Sequence, residues 1–216
     1  MKGLLITFEG NEGAGKSTQL SLLVDRLKEW GHTVTVFREP GGTPIGEEIR
    51  HTLKHSHANA AMTPEAELLL MNASRAQLVR EVIRPALQRG EIIVCDRFYD
   101  STTAYQGYGR QLDLDVVQKI VDLAVGRTHP DLTLFLKIPQ HVSEERLRSR
   151  QVNLPFIRDR LEEGDRAFFE RVARGYDDIA AAHPDRIKII HAAGTVAEVQ
   201  AAIWRVVAPL VATRGG

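Results

Sequence analysis

The chain has 216 residues (24.1 kDa), and Lys plus Arg equals Asp plus Glu at 28 each, so it carries no formal net charge and no global basic field to hold a nucleic acid backbone. That length suits one core and one domain, and the lone cysteine, Cys95, excludes an internal disulfide and fits a reduced compartment. No apolar run approaches the roughly 20 residues of a membrane helix, and Met1-Lys2-Gly3 leads into a strand pattern without a secretory leader, so a soluble, cytoplasmic protein is expected.

The first apolar run, "LLITF" at 4 to 8, reads as a buried strand. Directly after it, "GNEGAGKS" at 10 to 17 fits G-x-x-x-x-G-K-[ST], the loop that cradles nucleotide phosphates between a strand and a helix. Gly10, Gly13 and Gly15 allow backbone conformations in which successive N–H groups face phosphate oxygens. Lys16 adds a point charge at the β and γ phosphates, and Ser17 offers a hydroxyl to Mg²⁺ at the head of the next helix. Leu20, Leu23, Val24 and Leu27 recur at helical spacing, with Gly31 placed to end that helix.

"TVTVF" at 33 to 37 reads as the second strand. Residues 64 to 89 read as one long helix opening at Thr63-Pro64-Glu65, which Pro85 bends or breaks near its end. The third strand, "EIIVC" at 91 to 95, runs into Asp96 and Arg97, at the carboxyl end where parallel sheets bind ligands. Asp96 there reaches a metal, directly or through water, or caps the next helix; Arg97 has the planar fork that grips phosphate. Val116, Ile120 and Leu123 mark a further helix, "DLTLFLKI" at 131 to 138 and "RIKII" at 186 to 190 the last two strands, and 195 to 212 the last helix.

Between Arg146 and Arg171 the chain is dense in arginine and broken by Pro155 and Gly164, the pattern of a solvated helical pair laced with ion pairs. "TRGG" ends the chain as a tail. Strands alternating with crossover helices give an α/β fold, a P-loop domain with a parallel sheet of about five strands and helices on both faces. His51, His55 and His57 lack further ligands at zinc spacing and read as a solvated face. Cys95 reads as a packed strand residue, Trp30 and Trp204 as packing residues on helix faces, and Phe168 and Phe169 as anchors of the helix after the arginine-rich segment.

The stretch "VCDRFYDSTTAYQGYGR" at 94 to 110 resembles the thymidylate kinases in Asp96-Arg97-Phe98, Ser101-Thr102 and Ala104-Tyr105-Gln106. "FEGNEGAGKST" (8 to 18), "REPGGT" (38 to 43), "GEEIR" (46 to 50), "ASRAQLV" (73 to 79) and "DRLE" (159 to 162) extend the likeness over essentially the whole chain. The resemblance implies one P-loop NTPase domain with a small lid at about 147–163 and transfer of the ATP γ-phosphoryl group to dTMP in dTTP biosynthesis. It also implies Mg²⁺, a homodimer, and neither a nucleic acid nor a membrane partner.

By the same resemblance Gly10, Asn11, Glu12, Gly13, Ala14, Gly15, Lys16, Ser17 and Thr18 bind ATP, together with Arg146 and Arg150. Arg75 donates to the 4-carbonyl of thymine, which a cytosine amino group cannot accept, while Thr102 and Gln106 reach the other base edge. Arg38, Arg50 and Arg97 converge on the acceptor phosphate, and Ser101 belongs to the substrate-binding residues. Tyr105 packs under the sugar, Glu12 meets its 3′-hydroxyl, and Pro40 and Gly41 shape the wall. Met71 departs from the family, where a phenylalanine commonly stacks on the base; it either contacts the ring through its sulfur or fills the core.

In the branch of the family with Glu12 in the loop, the arginine that meets the transition state comes from the lid: Arg150 first, with Arg158 and Arg160 as alternatives, and Pro155 and Gly164 permitting closure. The catalytic set implied is therefore Lys16, Arg97, Arg150, Glu12 and Asp96, with Ser17 and Asp96 toward the metal. A kinase of another nucleoside monophosphate is the nearest alternative, although the early proline and the post-lysine glycine of adenylate kinases are absent. A nucleotide switch without an acceptor leaves Arg38, Arg50, Arg75 and Arg97 without a purpose.

Overall fold

A computed structural model describes residues 3–151 and 164–212. Five strands, β1 (Leu4–Glu9), β2 (Val34–Arg38), β3 (Ile92–Asp96), β4 (Leu132–Lys137) and β5 (Ile187–His191), form one sheet in the order β2-β3-β1-β4-β5, and every pairing is parallel. All five expected strands are present, and their registers bring Phe8, Arg38 and Asp96 level across β1, β2 and β3.

Central β1 shows why its sequence is nearly all apolar. Leu4, Ile6 and Phe8 pack on one face among Leu20, Leu23, Val24 and Leu27 of α1 (Lys16–Glu29) and Val199, Ile203 and Val207 of the C-terminal helix. Leu5 points to the opposite face, among Leu68, Leu78, Ile83, Val117 and Val121. A strand buried on both sides has no solvent face to make polar. Its odd positions beyond Leu5 are Thr7 and Glu9, both 0 % exposed. Thr7 hydrogen-bonds Thr133 at 2.8 Å, and Glu9 ends the strand inside a polar nest.

The remaining helices are α2 (Pro44–Lys54), α3 (Pro64–Leu78), α4 (Arg84–Gln88), α5 (Tyr99–Thr102), α6 (Leu114–Val125), α7 (Gln140–Gln151), α8 (Arg166–Ala182) and α9 (Val196–Ala212). The expected 64 to 89 helix divides. A π-helical turn at Val79–Ile83 separates α3 from α4, one turn before Pro85. Proline offers no N–H and its ring crowds the carbonyl four residues back, so the wider turn absorbs the misfit without ending the rod.

A second π-helical stretch, Thr103–Gly109, continues α5, where sequence patterning gave no helix because aromatic, β-branched and glycine residues dominate it. The α6 helix is present, but only one of its three apolar markers faces the core: Ile120 packs against it, whereas Leu123 is 77 % and Val116 48 % exposed, and Val117, Val121, Ala124 and Val125 are buried. Trp30 is likewise half exposed, edge-on to Trp204, whose ring also carries the Arg26 guanidinium at 4.0 Å.

Cys95 is buried and free, and burial raises its thiol pKa, as a packing role requires. Phe168 is buried against Tyr105, with Phe169 beside it. His51 and His55 rings lie 6.3 Å apart, and no group of three or more His, Cys, Asp or Glu residues forms a metal cluster among the described residues. No helix among them is long and apolar enough to cross a membrane. The segment 152–163, with Pro155, Arg158, Arg160 and "DRLE", lies outside the described residues, as does the side chain of Arg150.

Candidate active site

The phosphate loop joins β1 to α1. Gly10, Gly13 and Gly15 all have positive φ (135°, 72° and 86°), and a Cβ on Gly10 would collide with the Leu136 carbonyl, so glycine is required there by both conformation and space. Lys16 folds back so that its Nζ donates to Gly10 O at 2.9 Å and Asn11 O at 3.0 Å. Burial, then the nearby Arg97, lowers its pKa to about 7 against the opposing pull of Asp96, Glu12 and Glu9.

Ser17 and Asp96 line one cleft of about 390 Å³ with Arg38, Gly42 and Glu47. Asp96 Oδ1 is buried there without a hydrogen-bond partner. A buried carboxylate oxygen left unpaired, beside a hydroxyl at a helix head, fits a hard cation held partly by water and by phosphates.

Arg97 follows Asp96 with φ 68°, the left-handed region that costs a side chain other than glycine's. The Arg97 N–H to Phe8 O bond (2.9 Å) holds that turn. The guanidinium donates to Ser101 Oγ and Tyr176 OH, each at 3.1 Å, and more weakly to Tyr105 OH at 3.4 Å, and lies 5.1 Å over the Tyr105 ring. Behind these hydroxyls sits Glu9, which accepts from Tyr176 OH (2.9 Å), Ser101 Oγ and the Phe98 N–H (2.8 Å). Burial first, then Asp100, raises Glu9 to about 7, although Arg97, Ser101 and the Phe98 N–H favour its ionised form.

The far end of the site is built on α3. Arg75 is 2 % exposed and its Nε and Nη2 both meet Glu39 Oε2 at 2.7 Å. Nη1 donates to Asn72 Oδ1 at 2.8 Å and Nη2 also to Phe98 O at 3.3 Å, which leaves one N–H of Nη1 without a partner among the described residues. Glu39 belongs to the loop after β2, where Gly41 N–H donates to Ser74 Oγ at 3.0 Å. From the same loop Arg38 pairs with Glu47 at 3.0 Å, and Arg50 donates to Pro40 O at 2.8 Å. Thr102 and Gln106 are 2 % and 1 % exposed on the α5 and π-helical stretch, and Met71 is 9 % exposed on α3.

The loop also meets α7. Arg146 donates to Gly13 O at 3.0 Å and to Ala192 O at 3.3 Å, and Ser143 Oγ to Glu12 O at 2.6 Å. Arg150 lies one turn further along that helix. The expected arginines thus divide: Arg38 lines the Ser17–Asp96 cleft, Arg97 is held among Ser101, Tyr105 and Tyr176, and Arg75 is fixed by Glu39 of the loop after β2.

The thymidylate kinase profile matches residues 8–203. The chain belongs to the thymidylate kinase family. It is 48 % identical over 200 residues to a thymidylate kinase of Syntrophotalea carbinolica, covering 92 % of each chain, and 46 % identical over 206 residues to one of Deinococcus radiodurans, covering 95 % of this chain and 97 % of that one. The crystal structure of thymidylate kinase from Ehrlichia chaffeensis superimposes with a TM-score of 0.77 at 31 % identity, covering 96 % of this chain and 99 % of that chain. The P-loop fold and an ATP-dependent kinase activity go with this membership.

Sequence reading missed the acidic residues that organise this kinase site. Glu9, Glu39 and Glu67 are 0 %, 6 % and 0 % exposed, and each fixes a basic or amide group. For Glu9, between Phe8 and Gly10, and Glu67, between Ala66 and Leu68, the signal was a carboxylate embedded among apolar or glycine neighbours, which is costly unless the group has partners; Glu39, between Arg38 and Pro40, carried no such signal.

Proposed function

We propose that the enzyme transfers the ATP γ-phosphoryl group to dTMP, giving ADP and dTDP for dTTP supply, as one cytoplasmic P-loop domain closed by the 147–163 lid. The acceptor phosphate oxygen attacks the γ-phosphorus in line as the bond to the β-phosphate oxygen breaks. A phosphate dianion needs no general base. The chain's part is placement and charge: the loop N–H groups and Lys16 hold the donor, and Arg97, with Arg38 and Arg50, holds the acceptor. Arg150 completes the charge as the lid closes. Ser17, with Asp96 directly or through water, would hold Mg²⁺, which would supply charge neutralisation at the β- and γ-phosphates.

One observation carries the choice of acceptor: the buried Arg75 fork, fixed by Glu39 and Asn72, keeps a single N–H to donate. A fixed donor accepts a carbonyl and rejects an amino group, so it favours thymine or uracil over cytosine. Thr102 and Gln106 complete the base edge, Tyr105 the sugar wall, and Glu12 the 3′-hydroxyl. Met71, buried beside Arg75 on α3, supplies a sulfur contact to the ring. The exposed Leu69, Leu114, Val116 and Leu123 of α3 and α6 support self-association into a homodimer.

The test is ADP release from MgATP with dTMP, dUMP, dCMP, dGMP, AMP, GMP, CMP and UMP in turn. Turnover with dTMP and weaker turnover with dUMP is the expected result. A preference for any other monophosphate overturns the base assignment, and ATP turnover indifferent to all of them overturns the kinase reading.

A second expectation concerns protons. With Lys16 near 7 in the free loop, most molecules at about pH 8 hold it neutral. Phosphate charge favours the ammonium, so ATP binding is expected to take up close to one proton at about pH 8 and almost none at about pH 6. Calorimetry in buffers of different ionisation enthalpy reads this directly; equal uptake at both pH values contradicts it.

A further inference from the structure

Glu67 lies on α3 at i, i+4, i+8 with Met71 and Arg75, on one buried stripe. Its carboxylate accepts from Gln106 Nε2 at 2.9 Å, and Arg110 donates to it through Nε at 3.1 Å and Nη2 at 3.0 Å. A carboxylate in an ion pair only accepts, so the Gln106 amide has one permitted orientation: NH₂ toward Glu67, carbonyl Oε1 away. Without that neighbour the two ends of an amide are nearly interchangeable in shape, and Gln106 could present either one.

We propose that Glu67 is a specificity-determining positioning residue, which sets the Gln106 amide so that Oε1 is presented as an acceptor to the base. This rests on the base-site reading above and deepens it. The ring N3 of thymine carries a hydrogen and donates; N3 of cytosine carries none and accepts. Arg75 presents a donor and Gln106 an acceptor, the complement of the adjacent carbonyl and N–H of a thymine or uracil. Against cytosine both are mismatched, donor to amino group and acceptor to bare nitrogen. Leaving buried polar groups unpaired is what makes such discrimination large.

The decisive variant is Glu67→Gln. A neutral amide cannot satisfy all three donors, Gln106 Nε2 and Arg110 Nε at Oε1 and Arg110 Nη2 at Oε2, so one end of the new side chain opposes a donor and the Gln106 amide is no longer held to one orientation. The expected result is a fall of about tenfold or more in the dTMP-to-dCMP ratio of kcat/KM, through a raised KM for dTMP with kcat less affected. A purely structural role would lower Tm and leave the ratio unmoved, which overturns the proposal.

Gln106→Ala separates this inference from the reading beneath it. If that variant leaves the ratio intact, Gln106 does not read the base and both fall. If it lowers the ratio and Glu67→Gln does not, only the role of Glu67 is lost. In the double variant Glu67→Gln should add nothing to the loss from Gln106→Ala. Should Glu67→Gln not fold, Glu67→Ala, which removes the acceptor that holds the amide, decides on the same ratio: a fall supports the imposed orientation, and an unmoved ratio overturns it.

Discussion

Arg97→Ala is expected to lower kcat/KM for dTMP by about 10³-fold or more while leaving the Kd for MgATP within a few fold. The reason lies in how the guanidinium is held. Ser101, Tyr176 and Tyr105 meet it with hydroxyls, and the nearest carboxylate in that cradle, Glu9, stands one layer behind, bonded to Ser101 and Tyr176. Burial works against its charge, but Tyr105, Tyr176, Glu9 and Asp96 outweigh it and raise its pKa, so Arg97 stays protonated. A cation that is fixed in direction but not paired face to face with an anion keeps its field for an incoming phosphate.

Arg, Lys and Ala all carry a Cβ and so bear the left-handed backbone of position 97 (φ 68°) at similar cost, which assigns the loss on truncation to the side chain. Arg97→Lys keeps the charge and loses the fork, and should recover only a small part of the rate. Steady-state kinetics with dTMP beside calorimetry with MgATP tests the split. Turnover within tenfold of wild type removes Arg97 from the role given to it.

Much of this architecture was readable because parallel sheets and phosphate loops leave strong patterns. Strands such as Leu4–Glu9 are buried on both faces and so nearly uninterrupted in apolar residues, and the loop glycines answer to positive φ that sequence alone predicts. Periodicity failed where two faces of a helix are both apolar. In α6, Val116 and Leu123 carry the same hydrophobic signal as Val117 and Val121, and only packing against α3 tells which pair is inside. The π-helical stretch Thr103–Gly109 was unreadable for another reason: its period is neither that of a strand nor that of an α-helix. The arginines stand in motifs that sequence shows, whereas the partners that Glu39 and Glu67 hold, Arg75 and Gln106, lie 36 and 39 residues away in the chain and leave no local pattern.

Arg75→Ala should show what such a partner contributes. Glu39 is 6 % exposed, its Oε2 takes both contacts from Arg75, and its Oε1 has no hydrogen bond. Removing one member of a buried pair strands the other, at a cost of about 3–5 kcal/mol. In a chain of this length that corresponds to a fall in Tm of roughly 6–20 °C.

Burial already raises the Glu39 pKa against the pull of Arg75, and without Arg75 it must rise further. The folded state then binds more protons than the unfolded one above the ordinary carboxylate range, so stability is lost as pH rises through that window. The variant should therefore melt closer to wild type at about pH 5 than at about pH 8.

Adding Glu39→Gln removes the stranded charge and should restore most of the stability at the higher pH, but it cannot restore the donor to the base. The double variant is expected to be folded and still poor in separating dTMP from dCMP. If it regains that selectivity, Arg75 serves the fold alone and the base must be read by other groups.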